Sequence, residues 1–216
     1  MLKEKTKNRI KSTQLYSRYL QLIQNIRYFS WLLLKKDKPI PHIVKQRIVK
    51  DYSKRFSMDT FVETGTFRGE MVFAMRRRFK RIFSIELDPV FYQQSKKKFS
   101  SMKHITILRG DSSHVLPEIL KKINRPSLFW LDAHYSGGKT AQGEVDSPIL
   151  YELEVILGHN IDNHVILIDD ARCFIGKNGY PKLDKLRDIV LKSDLDLDLS
   201  VDEDIIRIFK KSNLDE

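Results

Sequence analysis

The chain has 216 residues, 41% of them hydrophobic, enough for one domain with a well-buried core. No apolar run approaches the roughly 18 residues of a membrane span, MLKEKTKNRIK at the N-terminus lacks the apolar stretch of a secretory signal, and the single cysteine, Cys173, excludes an intrachain disulfide. The net charge is +11, yet residues 1–56 hold 15 Lys/Arg against three acids while residues 57–216 hold 24 against 25. The body is therefore neutral, and no nucleic-acid partner is expected for it. A cytoplasmic, reducing location is expected, with Cys173 a small inert thiol.

The basic residues 1–56 form an N-terminal helical extension. Leu15, Tyr19, Leu22, Ile26, Phe29 and Leu33 are spaced 4-3-4-3-4, one stripe of an amphipathic helix. Such a stripe packs on the domain or on a second subunit; alternatively it lies on an anionic membrane surface or an acidic partner. A peripheral contact with the inner membrane surface and a homo-oligomer are both open. KPIPHIV, with Pro39 and Pro41, breaks the helix, and a second one over about 43–56 leads into the main domain, 57–216.

From there strands and helices alternate. TFVET (60–64), RIFSIEL (81–87), HITILR (104–109), SLFWLD (127–132) and HVILID (164–169) are strand candidates. Helices are expected near 68–79, 89–100, 113–122, 145–157 and 182–192. This order implies βαβ units around a doubly wound, mostly parallel α/β sheet covered on both faces. DLDLDLSVDED and IIRIF then form two strands with a turn, an antiparallel hairpin at the sheet edge that brings the strands to seven.

Function is concentrated at the carboxyl ends of these strands. FVETGTFRGEM joins the first strand to the first helix, with Gly65 and Gly69 placed for a tight turn and close ligand approach. Glu86, ending the second strand in SIELD, is 23 residues after Glu63 and can accept hydrogen bonds from both hydroxyls of a ribose. Asp111, in ILRGDSS after the third strand, is positioned for an exocyclic amine of adenine.

ETGTFRG, SIELD, RGDSS, FWLDAHYSGG and ILIDDAR together resemble the successive motifs of class I S-adenosylmethionine-dependent methyltransferases. The resemblance spans about residues 57–210 and is closest to bacterial methyltransferase-domain proteins associated with glycan and surface-polysaccharide synthesis. It implies a Rossmann-like methyltransferase sheet and S-adenosylmethionine as cofactor. Glu63, Gly65, Thr66 and Gly69 would then cradle the methionine part, Glu86 the ribose, and Asp111 with Ser112 the adenine, with Asp132 at the cofactor's reacting end. Thr66 stands where the family carries its second glycine.

Asp132 ends the fourth strand, and Asp169 and Asp170 end the fifth. Adjacent strands lie about 4.8 Å apart, so these acids converge on one point, a hard-oxygen set suited to Mg²⁺ or another divalent cation. A cation chelated by vicinal hydroxyls lowers the pKa of the attacking one. His134, two residues after Asp132, is a candidate base for its proton. The acids alternatively cap loops, and His134 is alternatively a structural hydrogen-bonding group. YSGGKTAQGEVDSPI is a candidate lid, with Lys139, Glu144 and Asp146 as substrate contacts. Arg172 either neutralises the Asp pair or meets an anionic substrate. The expected activity is O-methyl transfer to a sugar or glycan hydroxyl. A phenolic metabolite or a protein is the alternative acceptor, and a non-catalytic cofactor-binding module the alternative class.

Overall fold

A computed structural model describes residues 22, 23, 26, 28–31, 33, 39–132, 148–193 and 195–211. The chain forms two compact units, Met1–Arg47 and Ile48–Glu216. In the first unit the described residues between 22 and 33 are helical, and Leu22, Ile26, Phe29 and Leu33 of the apolar stripe are all more than half exposed. The Arg47 guanidinium lies 3.8 Å from the centre of the Tyr28 ring, a cation–π contact within that unit. Helix α1 (His42–Arg55) follows the two prolines, and the boundary between the units falls inside it.

The second unit runs β1 (Thr60–Thr64), α2 (Glu70–Met75), β2 (Arg81–Glu86), α3 (Pro89–Lys98), β3 (Ile105–Arg109), α4 (Ser112–Leu120), β4 (Leu128–Leu131), α5 (Ile149–Leu157), β5 (Val165–Ile168), a 3₁₀ turn (Ala171–Cys173), α6 (Leu183–Lys192), β6 (Leu197–Asp202) and β7 (Ile205–Lys210). Its sheet has seven strands in the order β3-β2-β1-β4-β5-β7-β6. The first five pair in parallel; β7 is antiparallel to both β5 and β6, so the expected hairpin closes one side. β1 sits between β2 and β4, and the chain runs outward from there in both directions. The crevice beyond the ends of β1 and β4 is thus the topological switch point, where open α/β sheets take their ligands.

Local chemistry explains the elements. LFWL of β4 and VILI of β5 are buried throughout, as central parallel strands covered on both faces must be. α4 buries Leu116, Ile119 and Leu120, and α6 buries Leu186 and Val190, one stripe each. Asp88 caps α3, its side chain accepting from the Val90 and Phe91 N–H groups, with Pro89 at the first helical position. α2 is shorter than the expected 68–79. It starts only after Gly69, and beyond Met75 the chain turns so that Phe79 stacks on Phe61, centroids 5.1 Å apart, before Arg81 opens β2. Core burial of Phe79 outweighs the helical spacing of its own segment. No helix among the described residues is long and apolar enough to cross a membrane.

A histidine pair lies at the opposite edge of the sheet, just before β5. The Ser127 N–H donates to His164 Nδ1 at 3.1 Å, so the neutral ring carries its hydrogen on Nε2, which meets His159 Nδ1 at 2.9 Å. Burial, then the nearby His159, pushes the His164 pKa down to about 4. The folded state keeps this ring neutral, whereas the unfolded chain takes up a proton below its ordinary 6.5. The group's contribution is complete above pH 6.5 and lost as pH falls toward about 4, at most about 1.4 kcal/mol per pH unit. Urea denaturation across this window will show a steeper loss of stability for the native chain than for His164→Gln.

Candidate functional site

Register brings the sequence-derived acids to one edge. Glu63 lies opposite Ser84 on β2 and Trp130 on β4, while Thr64, Leu131 and Ile168 share a level across β1, β4 and β5. The next residues, Asp132 and Asp169, continue the ladder: Asp132 N–H donates to Thr64 O at 3.2 Å and Asp169 N–H to Leu131 O at 3.1 Å.

The loop after β1 is held from below. Glu63 is buried and accepts from Ser84 Oγ at 2.5 Å; Ser84 Oγ in turn lies 2.6 Å from Thr66 Oγ1. Burial, reinforced by the Asp132 and Glu86 charges, raises the Glu63 carboxyl well above its usual range against the pull of Ser84. Glu63 thus supports the loop from within. Gly65 turns the chain with φ 88°, and its N–H and that of Thr66 both donate to Ile85 O at 3.0 Å. Thr66 has no positive φ and its hydroxyl is engaged, so a side chain fits where the family has glycine. Phe67 takes the left-handed conformation instead, φ 47°. Gly69, φ 64°, leaves room for Phe99: a Cβ there would meet the ring at 2.7 Å. Gly69 serves helix packing.

Glu86 is 7% exposed, and its two oxygens accept from the backbone amides of Phe67 at 2.5 Å and Asp88 at 2.9 Å. Burial raises its pKa while those amides oppose the shift. A carboxylate has about four acceptor positions, so a ribose can still be taken. Asp111 caps α4, Oδ1 accepting from the Ser113 N–H at 2.9 Å and hydroxyl at 2.7 Å; Ser112 is the first residue of that helix.

On the other side of the switch point Asp132, Asp169 and Asp170 each present one carboxylate oxygen, all within 4.8 Å of one another. At that spacing each like-charged pair repels by about 3 kcal/mol at an effective dielectric of about 20. Asp170 adopts the left-handed conformation, φ 56°, and Asp169 Oδ1 accepts its N–H at 2.8 Å. Arg172 Nη1 donates to Asp170 Oδ1 at 2.8 Å and also bonds Asp204 Oδ2; the Arg172 N–H donates to Asp204 Oδ1 at 2.9 Å. Burial opposes the Arg172 charge, but the two carboxylates outweigh it and hold its pKa above normal. Arg172 therefore neutralises Asp170, one member of the expected pair, together with Asp204. The three aspartates are a hard-oxygen donor set with excess negative charge, which fits Mg²⁺ or another divalent cation. His134, Lys139, Glu144 and Asp146 lie outside the described residues. Burial raises the Cys173 thiol pKa, against the pull of the Arg172 charge.

Three participants were not anticipated. Asp204, fully buried in the β6–β7 turn, was hidden among neighbouring acids. Tyr180, whose hydroxyl pKa is raised by burial and then by Asp170 and Cys173, lies in a loop without periodicity. Glu152 did leave a signal: it is three residues after Ile149 and four before Ile156, on the buried face of α5.

No protein-family model matches the chain, and no curated protein matches it. Solved structures do. The methyltransferase PaMTH1 of Podospora anserina, bound to S-adenosylhomocysteine (SAH), is 14% identical over 92% of this chain and 97% of its own, TM-score 0.57. The O-methyltransferase TomG of Streptomyces achromogenes, in complex with S-adenosylmethionine, is 13% identical over 86% and 87%, TM-score 0.57. An O-methyltransferase of Bacillus cereus in complex with SAH is 11% identical over 87% and 90%, TM-score 0.58. The chain has the Rossmann-like class I methyltransferase fold. Removing the buried partner of Arg172 will be costly: Asp204→Asn is expected to lower the unfolding free energy by about 2–3 kcal/mol in urea denaturation.

Proposed function

We propose that the protein is an S-adenosylmethionine-dependent O-methyltransferase acting on a sugar or glycan hydroxyl with help from a divalent cation. The observation that carries this reading is the convergence of Asp132, Asp169 and Asp170 within 4.8 Å at the carboxyl edge, beside the switch point of a methyltransferase fold. In that reading Glu86 accepts from the ribose hydroxyls, the Gly65–Thr66 turn backs the methionine part, and the start of α4 with Asp111 and Ser112 borders the adenine. Asp132, Asp169 and Asp170 would hold Mg²⁺, which would supply positive charge that lowers the pKa of an acceptor hydroxyl. The methyl group leaves the sulfonium for the acceptor oxygen, whose proton must go to a base; His134 is the candidate. Positioning of both substrates supplies much of the remaining acceleration. The glycan acceptor is supported by the motif resemblance and by the suitability of vicinal hydroxyls for a hard-oxygen cation site.

The exposed stripe of Leu22, Ile26, Phe29 and Leu33, within a segment of fifteen basic and three acidic residues, supports contact of residues 1–56 with an anionic bilayer surface.

By calorimetry the chain is expected to bind SAH, and Glu86→Ala to weaken binding about tenfold or more; no binding by the native chain would exclude the cofactor reading. Turnover on sugar acceptors is expected to depend on divalent cation and to be lost in Asp132→Ala and Asp169→Ala. Activity untouched by chelator removes the cation from the mechanism. Vesicles containing phosphatidylserine are expected to retain the full chain and release it at high salt; concentration-dependent self-association without vesicle binding assigns the stripe to a second copy.

A further inference from the structure

Glu152 lies in the first turn of α5 with no exposed surface, and among the described residues neither carboxyl oxygen has a hydrogen-bond partner. The same face of α5 otherwise holds Ile149, Leu153 and Ile156. A buried acceptor without a donor destabilises a fold, and an apolar residue would serve packing better. The groups that act on this acid lie around the switch point: after burial itself, which pushes its pKa up to about 7, come Ser112, Asp111, Thr64 and Asp132. Ser112 at the start of α4 and Thr64 at the end of β1 lie within side-chain reach of the acid, and the Asp111 and Asp132 charges act on it from farther off.

Hydrogen-bond direction narrows the role. Asp132 N–H donates to Thr64 Oγ1 at 3.2 Å, so the hydroxyl's own hydrogen must find another acceptor. Glu152 is the carboxyl beside it, and it is also beside the hydroxyl of Ser112. Neither hydroxyl is in hydrogen-bond geometry with the acid as it stands, but a small rotation of either side chain would let it donate, and Glu152 would then tie the end of β1 and the start of α4 together from behind the crevice.

We propose that Glu152 is a positioning residue for the cofactor: through the hydroxyls of Thr64 and Ser112 it fixes the ends of β1 and β4 and the start of α4 around the bound S-adenosyl ligand. It rests on the cofactor reading above. Glu152 does not touch the ligand; it sets the walls that do. Its place on a buried helical face trades stability of the unliganded protein for a defined crevice.

The test combines calorimetry with SAH and thermal denaturation without it. Glu152→Leu is expected to weaken SAH binding about tenfold or more while leaving the melting temperature unchanged or higher. Glu152→Gln, which keeps an acceptor oxygen, is expected to recover most of that affinity. Thr64→Val is expected to match the loss, and the Glu152→Leu/Thr64→Val double variant to be no worse than either single one. Affinity within about twofold of native in Glu152→Leu, or additive losses in the double variant, would overturn the proposal. So would a melting temperature that falls together with affinity, since the acid would then serve the fold. Absence of SAH binding in the native chain is a separate failure, of the cofactor reading itself, and takes this inference with it.

Discussion

Crowding of carboxyls at one edge of the sheet is the constraint around which the second unit is arranged. Parallel strands deliver their ends to one edge, where Glu86, Asp132, Asp169 and Asp170 gather, with Glu63 one step inside the end of β1. Three devices make this tolerable. Glu63 is buried, with its pKa raised by that burial, and has a hydroxyl partner in Ser84. Glu86, Asp111 and Asp169 accept backbone N–H groups. Asp170 shares a guanidinium with Asp204. Each device also orders a loop: Glu63 the turn at Gly65, Glu86 the strained Phe67, and Arg172 the 3₁₀ turn that follows Asp170. The ordering of the site and the neutralisation of its charge come from the same bonds.

Two buried titrating groups act on stability with opposite sign. His164 weakens the fold as pH falls below 6.5, because the unfolded chain gains a proton that the buried ring refuses. Glu152 has a folded pKa raised from 4.5 to about 7, so its contribution is complete below 4.5 and is lost as pH rises through 7. The two slopes overlap and oppose each other between them. The native chain therefore hides in its pH profile two groups that single substitutions would expose.

Alternation of apolar runs with helical spacing made the sheet legible in the sequence, since the central strands are too apolar to sit anywhere but between two layers. The acids at their ends were legible for the same reason: a charged residue directly after TFV, IFSI, FWL or VILI has few places to go but the sheet edge. What the spacing could not carry was long-range pairing. Asp204 is 34 residues from Asp170 in the chain and reaches it only through the β5–β7 pairing. α2 stops early because Phe79 is drawn onto Phe61, a contact between segments that helical periodicity does not register. The neutral total for residues 57–216 also concealed a polarity. Residues 68–125 hold 14 basic against five acidic side chains, and residues 126–216 hold 10 against 18.

The β6–β7 hairpin gives the site a position in time as well as in space. The strand-end acids are all synthesised by residue 170, but the carboxyl that steadies Arg172 lies in the turn before β7. That turn is set only when Ile206 and Ile208 pair with β5. During synthesis every strand-end acid therefore precedes the residues that hold Arg172 against Asp170. The acidic centre depends on the last strand of this domain, and a product cut short before it would lack the β5–β7 pairing that brings Asp204 to Arg172.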